Sequence, residues 1–219
     1  MCGRYTALTE DEIIEIREIL KSISLRIVRD DFEDFGEKTG SYGDGAGEVF
    51  PSDIAPVITG SADGVAFENA KRGFRKWDGT GVIINARSES LRTKKTFSAL
   101  LDTGRCVVPA GEFFEWERLK SGNKKYYARD KNGNLLFLAG LYRDIEDSTS
   151  PDGFTREFVI ITRKSTGVIA DIHDRMPVIL RADQIEPYFT GELTPEDLAA
   201  MEYELTVLPC DGEEQTSFL

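Results

Sequence analysis

The feature that most constrains this chain is a succession of short β-like stretches with hardly any helix between them. They run Gly47–Phe50, Ile54–Thr59 with Pro51 and Pro56 as punctuation, Val65–Ala70, Gly81–Arg87, Arg105–Pro109, Phe113–Glu117, Tyr126–Asp130, Leu135–Leu141, Arg156–Thr162 and Glu204–Leu208. Lys131-Asn132-Gly133-Asn134 separates two of them, and an Asn-Gly step is a strong hairpin signal. About eight to ten short strands without alternating helices exclude a doubly wound parallel sheet. The expectation is an α+β fold, mainly antiparallel, with a curled or barrel-like sheet and peripheral helices.

The helices are few. Thr9-Glu10-Asp11-Glu12 has the Thr-x-x-Glu form of a capping box, and Ile13, Ile16, Leu20 and Ile23 follow at helical spacing, which predicts an amphipathic helix over 10–22. Shorter helices are expected over 96–103, Gln184–Phe189 and Thr194–Tyr203. No linker or internal repeat divides the 219 residues, so one domain is expected over 1–219. Residues 29–47, rich in acids and glycine, read as a loop insertion. Residues 190–219 read as a C-terminal extension packing on the domain.

Composition narrows the function. No apolar run approaches the roughly 20 residues that span a bilayer, and no signal peptide is evident, so a cytoplasmic protein is expected. Cys2, Cys106 and Cys210 form no CxxC and no pairing pattern, which argues against a disulfide framework, a zinc site or any metal. The net charge of -12 opposes nucleic-acid binding as a property of the whole surface. A local basic groove on an acidic body remains compatible with it.

Cys2 is the residue with unusual chemistry. Removal of Met1, which a small second residue favours, leaves an α-amine of pKa about 8 beside a thiol of pKa about 8.5. An amine condenses with an aldehyde to an imine, and a thiol on the adjacent carbon can close onto it as a five-membered ring. A frayed terminal residue is the plain alternative. Three other stretches stand out. Ala70-Lys71-Arg72-Gly73-Phe74-Arg75-Lys76-Trp77 is basic with interleaved aromatics, as in single-strand binding grooves or in a solvated turn. Glu115, between Phe114 and Trp116 in sequence, is either a buried acid with a raised pKa or a surface carboxylate on an edge strand. His173, the lone histidine, is followed by Arg175 on its own face if the segment is extended, and it is either a proton carrier or a satisfied polar residue.

The set Cys2-Gly3-Arg4-Tyr5, Asn85-Ala86-Arg87, Phe113-Phe114-Glu115-Trp116 and His173-Asp174-Arg175-Met176-Pro177, in this order, resembles the SRAP family of SOS response-associated peptidases. The resemblance runs from Cys2 to about Phe189 and includes Phe50-Pro51-Ser52-Asp53-Ile54-Ala55-Pro56. Members of that family shield abasic sites in single-stranded DNA. The resemblance implies crosslinking to the abasic aldehyde through Cys2, with ring opening by Glu115, Asn85 holding the amine and His173 moving a proton. It also implies a DNA-facing set of Arg4, Arg72, Phe74, Arg87, Trp116, Arg175, Met176 and Pro177, no cofactor, single-stranded DNA as partner and a monomer. An N-terminal-cysteine peptidase, limited in the extreme to removing Met1, is the alternative that the family name carries. The chain departs from the family's pattern at Arg72-Gly73, where Trp-Gly is usual, at Gly111-Glu112 and at Arg163-Lys164-Ser165.

Overall fold

The computed structural model describes residues 2–23, 25–31, 47–61, 63–150 and 152–214. Most of the loop expected over 29–47 therefore lies outside the described residues, as does Met1. Strands and helices are numbered below in chain order.

Five strands close into a barrel. β13 (Phe154–Lys164) pairs with β12 (Leu136–Glu146), β12 with β9 (Arg105–Ala110), β9 with β4 (Ile54–Ser61) and β4 with β5 (Gly64–Arg72). β5 then returns to β13 through a parallel pairing, Lys71 opposite Glu157 and Arg72 opposite Phe158. Closure removes the open edges on which unpaired backbone groups would be exposed. Shorter strands extend the ring. β2 (Ile27–Asp30) lies along β5, β8 (Asn85–Arg87) and β14 (Arg175–Pro177) lie along β13, and β15 (Ile179–Leu180) lies along β12.

A second sheet of five strands has the order β16 (Leu205–Glu214), β11 (Gly122–Asp130), β10 (Glu112–Leu119), β1 (Arg4–Thr6) and β3 (Glu48–Val49). A two-stranded ribbon of β6 (Phe74–Arg75) and β7 (Val82–Ile83) leads into β8. Because strand side chains alternate between faces, the barrel strands feed two cores. Val159 and Ile161 join Leu20, Tyr188 and Leu198, whereas Phe158 and Ile160 join Cys2, Tyr5 and Phe113 of the second sheet. The second core places the chain's first strand against the barrel.

Helix α1 (Glu10–Ser22) has the expected bounds, and both halves of its capping box form between Thr9 and Glu12. The helix expected over 96–103 is interrupted at Ala99 into α2 (Lys95–Ser98) and α3 (Leu100–Thr103). α4 (Ile185–Thr190) stops at Gly191, whose φ of 84° breaks the helix. α5 (Pro195–Ala200) is capped by Thr194 with Asp197 and is shorter than expected.

The expected hairpin at Asn132-Gly133 is overturned. The turn itself forms, with Gly133 at φ 83° and the Asp130 carboxylate accepting from the backbone N–H groups of Asn132 and Asn134. Its flanking strands part, however: β11 pairs with β10 and β16, while β12 pairs with β9, β13 and β15. The turn is a bridge between sheets. Among the described residues long hairpins join β4–β5, β10–β11 and β12–β13, and a short one joins β6–β7. Strands of two to four residues outside the expected stretches, β1, β2, β6, β14 and β15, add to the number because so short a pairing leaves no periodicity to read.

Candidate active site

β1 is held in the middle of the second sheet, with Arg4 opposite Phe114 and Tyr5 opposite Phe113. Cys2 is fully buried. Its carbonyl oxygen accepts two hydrogen bonds, from Arg72 Nη2 at 3.1 Å and from Asn85 Nδ2 at 3.2 Å. Asn85 is in place because β8 runs parallel to β13, with Asn85 opposite Ile160. Burial pushes the Cys2 thiol up to about 12, with the Arg72 guanidinium pulling the other way and the nearby Glu115 adding to the rise.

Glu115 is buried at 1% exposure, opposite Tyr126 of β11. That settles the choice between edge carboxylate and buried acid. Burial pushes its carboxyl up to about 7, and the neighbouring Asp174 acts in the same direction. A carboxyl with a pKa near neutrality is partly protonated at neutral pH, as a general acid requires. Asp174 belongs to the segment that carries His173, which β14 anchors to β13 through Lys164 opposite Arg175. His173 Nδ1 accepts from the Arg175 backbone N–H at 2.9 Å. The same nitrogen lies 3.2 Å from Arg175 O and 3.1 Å from an Asp174 carboxylate oxygen, to which it donates in the other tautomer. Partial burial lowers the pKa of His173 and favours the neutral ring.

The DNA-facing set divides. Arg4 has its guanidinium 4.4 Å from the Phe50 ring and 5.1 Å from the Trp116 ring, and Glu48 pairs with both Arg4 and Lys125. Arg87 is exposed. Arg175 is engaged: Glu89 receives it in a two-pronged ion pair at 2.7 and 2.9 Å, which holds Glu89 at about 2, and Thr162 O accepts a further bond at 2.7 Å. Four expectations are corrected. Arg72 is fully buried and grips Cys2 and Val49, so it is not a surface platform for a base. Phe74 is fully buried and packs on Phe97, and Met176 and Pro177 are buried in β14. Ala70 and Arg72 lie on alternate positions of β5 and turn to the second core, whereas Phe74, past Gly73 at φ 101°, turns into the first, and Arg75 is bound by Glu157. Of the basic strip, Lys76 and Trp77 are left exposed at the tip of the β6–β7 ribbon.

Glu48 and Glu89, which hold Arg4 and Arg175, went unremarked in the sequence, where no motif marks them. The period-two placement of Arg72 with Ala70 was a signal that could have identified it as an inward residue. Among the described residues no group of three His, Cys, Asp or Glu side chains is gathered to hold a metal ion. A cleft of about 600 Å³ lined by Arg29, Glu68, Asn69 and Arg156 lies elsewhere and contains none of the Cys2, Asn85, Glu115 and His173 set. No helix among the described residues is long and apolar enough to cross a membrane.

The family model described as SOS response associated peptidase (SRAP) matches residues 1–212. The abasic site processing protein YobE of Bacillus subtilis is 31% identical over 233 residues, covering 100% of this chain and 93% of that protein. The abasic site processing protein YoqW of Bacillus phage SPbeta is 34% identical over 215 residues, covering 90% of this chain and 84% of its own. A crystal structure of a protein from Bacteroides thetaiotaomicron superposes with a TM-score of 0.74 at 20% identity, covering 96% of this chain and 93% of that one, a likeness of fold.

Proposed function

This chain belongs to the SOS response associated peptidase family, and from that premise we propose that it processes abasic sites in single-stranded DNA by crosslinking to them through Cys2, shielding the lesion. The observation that carries the reading is the convergence on Cys2 of a buried acid near neutrality, Glu115, and a carboxamide, Asn85. Its relatives' name as abasic site processing proteins supports it.

The steps follow from the residues. An abasic sugar interconverts between a closed hemiacetal and an open aldehyde. Glu115 gives its proton to the ring oxygen as the ring opens. With Met1 removed, the Cys2 amine adds to the aldehyde carbon, and loss of water gives the imine. The Cys2 sulfur then adds to the imine carbon. The C=N electron pair passes to nitrogen, which takes up the proton that the thiol released, and a thiazolidine results. His173 carries protons to and from the sugar hydroxyl. Asn85 holds the Cys2 carbonyl through Nδ2, and its Oδ1 is buried without a partner among the described residues, an acceptor available to the amine. Arg4, Arg87 and Arg175 face the strand's phosphates, Arg175 after exchanging Glu89 for phosphate, and Trp116 offers its ring to a base.

The test is incubation with a single-stranded oligonucleotide bearing one abasic site, followed by a denaturing gel. A heat-stable adduct is expected on the abasic strand and none on an intact strand, and Cys2→Ala is expected to abolish it. A full yield of stable adduct from Cys2→Ala would falsify the thiazolidine.

A further inference from the structure

Arg175 is met by a carboxylate where the crosslinking reading puts a phosphate. Its two terminal nitrogens donate to Glu89 at 2.7 and 2.9 Å, and Nη2 also donates to Thr162 O at 2.7 Å. The arginine side chain is 11% exposed and the glutamate 47%, so the pair opens to solvent on the side of the carboxylate. A guanidinium takes carboxylate and phosphate oxygens in the same two-pronged geometry.

The strands around that pair gather two more cations. On β13 one face runs through Phe158, Ile160, Thr162 and Lys164. Phe158 and Ile160 belong to the core that contains Cys2, and Ile160 lies beside Asn85, whose amide holds the Cys2 carbonyl. Two residues further Thr162 lies beside Arg87, and two further again Lys164 lies opposite Arg175. Residues opposite each other on paired strands point to one face, with Cβ atoms about 5 Å apart. The face therefore leaves the Cys2 core and reaches the surface with Arg87, Lys164 and Arg175 gathered on it. Arg87 and Lys164 are exposed, and among the described residues no carboxylate holds either of them. The acids beside the row are Glu89, on Arg175, and Asp174, which is turned to His173. On a chain of net charge -12 such a row is a local exception.

We propose that Lys164 is a phosphate ligand of the single strand, and that with Arg87 and Arg175 it forms a seat which Glu89 fills until the strand arrives. The inference rests on the single-strand reading above and adds two residues to it. Lys164, at one of the places where the chain departs from the family's pattern, is a ligand, and Glu89 is the resident anion. The strand has to displace Glu89 to reach Arg175, which costs the ion pair. Intact strands are therefore held loosely, and it is the covalent step that retains a lesion.

The experiment is equilibrium binding of an intact oligothymidylate, which has no aldehyde, followed by fluorescence anisotropy at several salt concentrations. Lys164→Gln is expected to lower the log–log salt slope by about 0.7 and to weaken binding about fivefold at about 0.1 M salt, while Lys164→Arg stays near wild type. Lys21→Gln, in the last turn of α1 and outside the row, is expected to leave the slope unchanged. An unchanged slope in Lys164→Gln, or an equal loss in Lys21→Gln, overturns the ligand. Glu89→Gln is expected to tighten binding, by about 2- to 5-fold more in the wild-type background than in Arg175→Gln, since only the former has an ion pair to release. Unchanged or weaker binding in Glu89→Gln, or the same gain in both backgrounds, overturns the resident anion. If Arg175→Gln is unfolded by circular dichroism, the Glu89→Gln change decides alone: tightening supports the resident anion, and no change or a loss overturns it. These affinities need no crosslink. Loss of the abasic adduct with the binding changes intact would remove the crosslinking reading and leave the seat standing.

Discussion

Glu115→Gln separates a buried acid from an ordinary one by its effect on stability. The folded carboxyl lies near 7 because burial raises it, against an ordinary 4.5 for the exposed group. Between those values the folded state binds the extra proton, so wild-type stability falls as pH rises. The favourable contribution is fully present below about 4.5 and gone above about 7. The whole shift corresponds to about 3 kcal/mol, of which about 2 kcal/mol is lost between about pH 5 and about pH 8. Glutamine has the shape of the neutral acid and does not titrate. The variant is therefore expected to gain on wild type by about 2 kcal/mol across that interval, other groups cancelling in the comparison. Urea unfolding of both proteins at the two pH values measures it, and the variant is expected to be slow in adduct formation at neutral pH, with acid partly restoring it. A difference independent of pH would show that Glu115 is not a raised acid, and its role as proton donor would fall with it.

Three further outcomes are expected. Arg87→Ala, which removes an exposed guanidinium, is expected to lower the salt dependence of single-strand affinity by about 0.7 in the log–log slope, read from binding at several salt concentrations. Protein retaining Met1 is expected to give no stable adduct and protein trimmed to Cys2 to give it readily, because an amide nitrogen cannot form an imine; equal yields from both, compared by gel and mass spectrometry, exclude the amine as nucleophile. Thr9→Ala is expected to cost about 1 kcal/mol in urea unfolding by opening the α1 capping box, with adduct formation unaffected.

What the sequence revealed was local or patterned. The α1 bounds followed from Thr9, Glu12 and the spacing of Ile16 and Leu20, all within one helix. The curled, mostly antiparallel sheet followed from strand density, and the barrel is its closed form. The Asn132-Gly133 turn was legible as a turn, whereas the partners of its strands were not, because pairing is decided by contacts far along the chain. β11 found β10 and β16, and no residue near the turn records that choice. Burial of Glu115 was readable only as one of two possibilities, since Phe114 and Trp116 flank it equally on an edge strand and inside a sheet. Arg72 misled for a different reason. A cation in a basic strip suggests a surface, and only a carbonyl-lined recess built from Val49 and Cys2 could take it inside.

The pairing of β1 has a consequence for the order in which the protein can become competent. Arg4 and Tyr5 find their partners in Phe114 and Phe113, and Tyr5 and Thr6 find theirs in Val49 and Glu48. The strand made first on the ribosome therefore has to wait for β10, near the midpoint of synthesis, and contacts so distant along the chain form late and slowly. Asn85 reaches its place only when β13 has been made to support β8. A nascent or truncated chain ending before Phe154 has no β13 and so no support for the Asn85 bond to the Cys2 carbonyl. The hold of Asn85 on the Cys2 carbonyl is thus completed only in a molecule whose barrel has closed.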